Sequence, residues 1–233
     1  MTEFRRTELA AELLAAADRL IKESDFWGAQ ARLGSYLSDV LWDALREPSD
    51  EAARRVLHSS GFVDRLRQFA TLTAQQMGDR MFRLTHLPGY LLLTFAQTAW
   101  WLGESTLGDQ LLEQARTKES LASASPFWRE VASGLGALVA HEPYAAKPVK
   151  TRGAESYLLP YLDLIEALAM RRDPSDAIAA VQDSISSRNA DRRITDTGAD
   201  FDGNPSSPVR ANLRLRGILA RFDPVAWTNQ RNA

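Results

Sequence analysis

The sequence predicts an all-α protein in which helical hairpins stack on one another, in the manner of a helical-repeat protein. Apolar residues recur at helical spacing through almost the whole chain. Ala and Leu abound, Val and Ile are sparse, and no stretch shows the sustained alternation of a strand. With 45% hydrophobic and 25% charged residues over 233 positions, the composition is that of a globular protein. We therefore predict a single domain over residues 1–233.

The individual helices follow from apolar stripes and from the residues that begin or end them. Asp25 and Ser125 have the polar side chains that cap helix N-termini, and Pro126 fits the first helical turn. Helices are ended or separated by two glycines, Gly61 and Gly103, and by two prolines, Pro48 and Pro88. The predicted helices cover residues 7–24, 25–46, 49–60, 62–84, 90–102, 105–115, 126–139, 154–171, 175–188 and 208–222.

Irregular chain is predicted in three places. Residues 86–89 and 142–153 are rich in Pro, Gly or polar residues, as turns and loops are. Residues 191–207 form the clearest loop-rich segment, and the tail after residue 222 is expected to fray. Gly134 and Gly136 lie inside a helical pattern, where small residues allow helices to pack closely.

One pattern occurs twice. Tyr90-Leu91-Leu92 begins a helix that ends at Trp101-Leu102-Gly103, and Tyr157-Leu158-Leu159 begins a similar one 67 positions later. The same shift places Asp109 on Asp176. Repeated hairpins bury their apolar faces by stacking. The first copy also resembles part of a tetratricopeptide repeat; the alternative is two similar hairpins by chance.

The residues that carry most enzyme and metal chemistry are missing or isolated. The chain has no cysteine, and none of His58, His86 and His141 has a second histidine at helical spacing. No serine-nucleophile or phosphate-binding motif occurs. Oxygen ligands at Asp196, Asp200, Asp202 and Asn204 suggest a calcium loop, but Gly203 is out of register, so we expect a solvated turn. We predict no catalytic residues, no metal and no cofactor.

Charge and hydropathy limit the partners. The chain has 28 basic and 30 acidic residues, and we do not expect nucleic acid as a partner. The basic side of the last helix, with Arg210, Arg214 and Arg221, is predicted to form interhelical ion pairs. The longest apolar stretch, residues 90–102, is shorter than the roughly 20 residues of a membrane span. With no signal-peptide pattern at the start, we expect a cytoplasmic protein with no membrane partner.

Trp100 and Trp101 raise the question of a binding surface. Neighbours on a helix point about 100° apart, so both cannot face one apolar stripe. One of them could therefore lie at a helix seam, a groove or a partner surface, where tryptophan is enriched. The alternative is a central helix that is buried on two sides and takes both indoles.

The helix 90–102, with Gly108-Asp109 and Ala115 after it, and its echo at 157–168 resemble the all-α immunity-49 family of bacterial polymorphic toxin systems. The resemblance covers residues 90–188. It implies a non-enzymatic cytoplasmic protein that binds a cognate toxin and blocks its active site or substrate path.

A toxin with a basic cleft would meet an acidic face, and two groups of helix charges are candidates for it. The predicted partner-binding residues are Trp100, Trp101, Glu104, Asp109, Glu113, Asp163, Glu166 and Asp173. Two other functions stay open: a tetratricopeptide-like adaptor that binds a peptide in a concave groove, and an enzyme whose fold pairs carboxylates such as Glu142 and Asp163 in an unfamiliar site.

Overall fold

A computed structural model describes residues 3–46, 50–76, 89–117, 120–121, 124–151, 153–192, 208–223 and 225 of the chain. All regular secondary structure in these ranges is helical, so the predicted all-α class is confirmed. The α-helices are α1 Glu3–Lys22, α2 Phe26–Arg46, α3 Asp50–Ser59, α4 Phe62–Gln76, α5 Gly89–Trp101, α6 Ser105–Ala115, α7 Pro126–Ala140, α8 Pro160–Ala169, α9 Ser175–Arg192 and α10 Pro208–Phe222, with a 3-10 helix at Gly153–Leu158.

Several predictions fall outside the described residues. They are the end of the helix predicted over 62–84, the turn at residues 86–88, the calcium-like residues Asp196, Asp200, Asp202 and Asn204, most of the loop 191–207, and the tail. None of the described helices is long and apolar enough to cross a membrane.

The contacts divide the described helices into two compact units. The single domain predicted over residues 1–233 stays a prediction. The first unit contains α1–α4. Helices α1 and α2 pack as a hairpin, and Phe26 meets Phe69 of α4 edge to face at 6.1 Å. Arg65 reaches across to α1 and forms two hydrogen bonds of 2.8 Å to the Asp18 carboxylate. The predicted Asp25 cap is confirmed, because its side chain accepts the Gly28 N–H at 2.9 Å.

The second unit contains α5–α10, and α5 lies at its centre. Every residue from Leu91 to Leu102 is buried. Helix α6 returns antiparallel to α5, and α10 runs parallel to it on another side. At that crossing Gly217 of α10 lies so close to the Gln97 carbonyl oxygen that a Cβ would collide with the backbone. A helix covered on two sides can be apolar all round, which is why α5 is the most apolar segment.

Of the internal repeat predicted from the sequence, the structure shows only the pairing of helices in two hairpins. Helix α5 pairs with α6, and α8 pairs with α9, as the repeat predicted. However, the continuous helix predicted over 154–171 is wrong, because a 3-10 helix ends at Leu158 and α8 begins at Pro160. Proline lacks the N–H that an α-helix needs and clashes with the preceding turn. Tyr157 therefore lies in a 3-10 helix, whereas its counterpart Tyr90 lies in an α-helix.

Helix α7 begins and packs as the sequence predicts. The Ser125 side chain accepts the Trp128 N–H at 3.4 Å, and Pro126 occupies the first turn. Gly134 brings α7 against Ile165 of α8 and the ring of Tyr144. Gly136 lies instead under the guanidinium of Arg116. The close helix packing expected of a small residue is confirmed at Gly134, whereas at Gly136 the nearest atoms belong to the Arg116 side chain.

Candidate functional site

Both central tryptophans are in the core of the second unit. Trp100 is 2% exposed and Trp101 is 1% exposed. The Trp100 ring meets Phe222 of α10 edge to face at 5.3 Å. The alternative of a doubly buried helix therefore describes both indoles, and neither offers surface to a partner in this structure.

Asp109 is a structural group rather than a surface charge. It accepts the Trp100 indole N–H at 2.9 Å and pairs with Arg221 of α10 at 3.2 Å. The two charged side chains are 30% and 26% exposed. Asp109 thereby joins α5, α6 and α10, and the interhelical ion pair predicted for Arg221 is confirmed.

A second basic residue of α10 is buried in the same unit. Arg214 is 2% exposed, donates to the Thr94 hydroxyl at 2.9 Å and lies 4.5 Å from the centre of the Trp128 ring. Nearby, burial raises the pKa of the Tyr161 hydroxyl, opposed in part by the Arg214 charge. An arginine stacked on an indole in the interior holds helices together. Arg214 is therefore not exposed for contact with nucleic acid.

The same face of α5 carries more polar groups. Thr94, Gln97 and Thr98 are all buried. The Thr98 hydroxyl bonds back to the Thr94 carbonyl at 2.7 Å. Within the described part of the chain, both amide atoms of Gln97 and the indole N–H of Trp101 have no hydrogen-bond partner. This cluster is polar but enclosed.

Two carboxylates anchor an irregular segment, residues 142–151, which we call the strap. The strap follows α7 and runs back along it. The Tyr144 hydroxyl donates to Glu130 of α7 at 2.7 Å, and the Lys147 N–H donates to the same oxygen at 3.0 Å. The Ala146 N–H donates to Glu166 of α8 at 2.8 Å. Tyr144 is 8% exposed.

The electrostatics of the strap follow from these contacts. The Ala146 N–H, and then the Arg172 guanidinium at 2.6 Å, hold the pKa of Glu166 below its usual range. Burial, and then the bond to Glu130, raise the pKa of the Tyr144 hydroxyl. Glu166 therefore stays charged, and Tyr144 stays a neutral donor.

The remaining candidate carboxylates differ in exposure. Asp173 is exposed but accepts from the Ser175 hydroxyl and N–H, which lower its pKa at the start of α9. Glu113 is 77% exposed and pairs at 3.2 Å with Arg116, the residue that follows α6. Asp163 is exposed, and Glu104 is partly exposed just before α6. The structure does not bring these four carboxylates together with Asp109 and Glu166 in one site.

A different acidic surface lies on α9. Asp176, Ala180, Asp183 and Ser187 recur at helical spacing, and all four are exposed. We call this stripe the acidic face. No Lys or Arg occurs between residues 173 and 187. The sequence showed these acids, but only packing shows which side of α9 is turned outward.

Two further features escaped the sequence reasoning. Trp27 is 50% exposed at the start of α2, whereas its neighbour Phe26 is buried. The angular argument applied to Trp100 and Trp101 also applies to this pair, and it could have flagged Trp27. Nothing in the sequence marks Glu130 as the acceptor for residues 14 and 17 positions further along.

The described residues contain no group of three or more His, Cys, Asp or Glu that could hold a metal ion. Comparisons of the chain with protein-family models, with curated proteins and with solved structures found no match. Function therefore has to be inferred from the arrangement of the side chains.

Proposed function

We propose that this chain is a binding protein that neutralises a cognate bacterial toxin by covering it with an acidic helical surface. The observation that carries the proposal is the acidic face of α9. Its two carboxylates stand seven residues apart on one side of the helix, with Ala180 between them. Short side chains around exposed charges let a basic partner surface approach closely.

The ordinary explanation of helix acids covers only part of this face. Asp176 lies in the first turn of α9, where a negative charge stabilises the helix dipole. Asp183 lies two turns further along, where the dipole does not account for a carboxylate. It is exposed and has no basic residue within the four positions on either side. A role in partner binding gives Asp183 a reason to be acidic.

In the enzyme alternative, a carboxyl group that acts as a general acid must be held protonated near neutral pH by a raised pKa. Among the described residues, the carboxylates with a shifted pKa are Glu166 and Asp173, and both are shifted downward. Glu142 and Asp163 are both exposed. These observations favour binding over acid–base catalysis, as does the resemblance of residues 90–188 to immunity-49 proteins.

The proposal is tested by co-purification. The tagged chain is co-expressed with the product of the adjacent gene, and the two are eluted together at low and at high salt. We expect a stoichiometric complex that weakens as salt is raised, because added salt shortens the Debye length below its value of about 8 Å at physiological ionic strength and so screens the attraction between the two charged surfaces. The absence of a complex at low salt would contradict the proposal.

A further inference from the structure

The seam between α7 and α8 holds the strap much as a peptide-binding protein holds its ligand. The strap forms no regular secondary structure, and its backbone donors find side-chain acceptors on the two helices. An N–H that pairs with a carboxylate makes a charge-assisted bond, stronger than a neutral one. The strap is therefore attached by ligand-like contacts and not by helix or sheet ladders.

The strap is also held by one side chain, that of Tyr144, which lies in a pocket. Gly134 of α7 leaves room for the Tyr144 ring: a Cβ there would lie 2.8 Å from the ring and 2.6 Å from Ile165 of α8. At the end of the pocket, Glu130 receives the hydroxyl at 2.7 Å. A ring of this size with a donor at its tip fits, and a phenylalanine would leave the carboxylate without that bond.

The pattern of donors defines the ligand. The tyrosine hydroxyl and the N–H three residues later share one Glu130 oxygen, and the N–H between them, two residues after the tyrosine, reaches Glu166. The side chains of Ala145 and Lys147 are exposed, so they add little to specificity.

We propose that the α7–α8 seam is a binding groove for non-helical, tyrosine-containing peptide segments, and that the strap occupies it in cis. A tethered segment is present at an effective concentration of the order of millimolar, so an external segment binds only when the strap is weakened or outcompeted. This proposal does not depend on the toxin proposal, because it concerns another surface of the second unit.

The test uses the full chain and a fluorescent peptide spanning residues 142–151. Tyr144→Ala removes the ring of the strap and should free the pocket. We expect the peptide to bind this variant at least about tenfold more tightly than the wild-type chain, by fluorescence anisotropy. The same peptide with alanine in place of its tyrosine should bind neither chain.

A pair of glycine variants gives the matched control. Added to Tyr144→Ala, Gly134→Ala fills the pocket and should abolish peptide binding. At Gly136 on the same helix, the atoms nearest to an added Cβ are the end of the exposed Arg116 side chain, which can move, so Gly136→Ala should leave binding intact. Binding that is indifferent to Gly134→Ala, or no saturable binding to the Tyr144→Ala chain, overturns the proposal.

Circular dichroism checks that each variant keeps its helical content. If the Tyr144→Ala chain fails to fold, Tyr144→Phe takes its place, because it keeps the ring and removes only the hydroxyl bond. The peptide should then bind more tightly than to the wild-type chain, by a smaller factor. No gain for a folded Tyr144→Phe chain would likewise overturn the proposal.

Discussion

In the second unit, carboxylate side chains on the same helix have different roles. Asp109 and Glu113 lie one turn apart on α6. Asp109 is partly buried and bonds to an indole and a guanidinium, whereas Glu113 is mostly exposed. The sequence placed both on a partner-binding face, because spacing alone does not reveal that α10, more than a hundred residues away, covers Asp109.

This difference predicts unequal effects of two similar substitutions. Asp109→Ala should lower the free energy of unfolding by about 1–3 kcal/mol, because it leaves a buried indole N–H and a half-buried guanidinium without their acceptor. Glu113→Ala should change it by less than about 0.5 kcal/mol, since an exposed ion pair contributes little. Urea unfolding of both variants measures this, and equal losses would contradict the role given to Asp109.

The strap predicts a dependence of stability on pH. Because folding lowers the pKa of Glu166, this carboxylate stabilises the fold above its unfolded pKa of about 4.3, and the contribution is lost as the pH falls through the folded value. Glu166→Gln should therefore reduce stability at neutral pH and flatten the decline toward acid. Urea unfolding at several pH values tests this.

Asp163→Asn is the charge control for this substitution, because Asp163 is an exposed carboxylate of the same helix. It removes one charge from α8 but none of the strap contacts described above, so it should lower stability at neutral pH by less than Glu166→Gln does. A Glu166→Gln chain that loses stability in acid as steeply as the wild-type chain would show that the strap contact is not what titrates.

At the scale of helices, apolar spacing predicted nearly every described element, and the errors occur where local chemistry overrides it. Pro160 divides the region that apolar spacing joined into one helix. Three helices are followed within two residues by a non-glycine residue at positive φ, where the sequence gives no glycine signal, namely Ser24, His141 and Arg171. The loop that contains the strap was predicted over residues 142–153, but its attachment was not, because the acceptors are on two helices that only the fold brings together.

These left-handed ends allow a prediction for α7. His141 has φ 57°, and the Glu142 N–H bonds to the Ala137 carbonyl at 2.9 Å, which closes the helix. His141→Gly should raise the free energy of unfolding by up to about 1 kcal/mol, because glycine adopts this conformation without steric cost. Ala140→Gly, one position earlier inside the helix, should lower it by about 0.5–1 kcal/mol. Thermal or urea unfolding decides, and a loss at both positions would contradict the account.

For the whole molecule, composition and spacing were enough to predict the all-α class, but they could not show which charges are displayed. That depends on which side of each helix its neighbours cover. Packing removes Trp100, Trp101 and Asp109 from the candidate surface and leaves the acidic face of α9 turned outward. The proposed toxin-binding role therefore rests on a surface that differs from the one expected.

Growth protection tests the proposed role most directly. Cells that express the adjacent gene's product are compared with and without this chain, and with two charge-reversed variants. Asp176→Lys with Asp183→Lys alters the acidic face, and Glu8→Lys with Glu12→Lys makes the same charge change at exposed positions of α1. We expect the wild-type chain and the α1 variant to protect, and the α9 variant to fail. Protection by neither the wild-type chain nor the α1 variant would contradict the toxin proposal, and protection by all three would contradict the assignment of the acidic face.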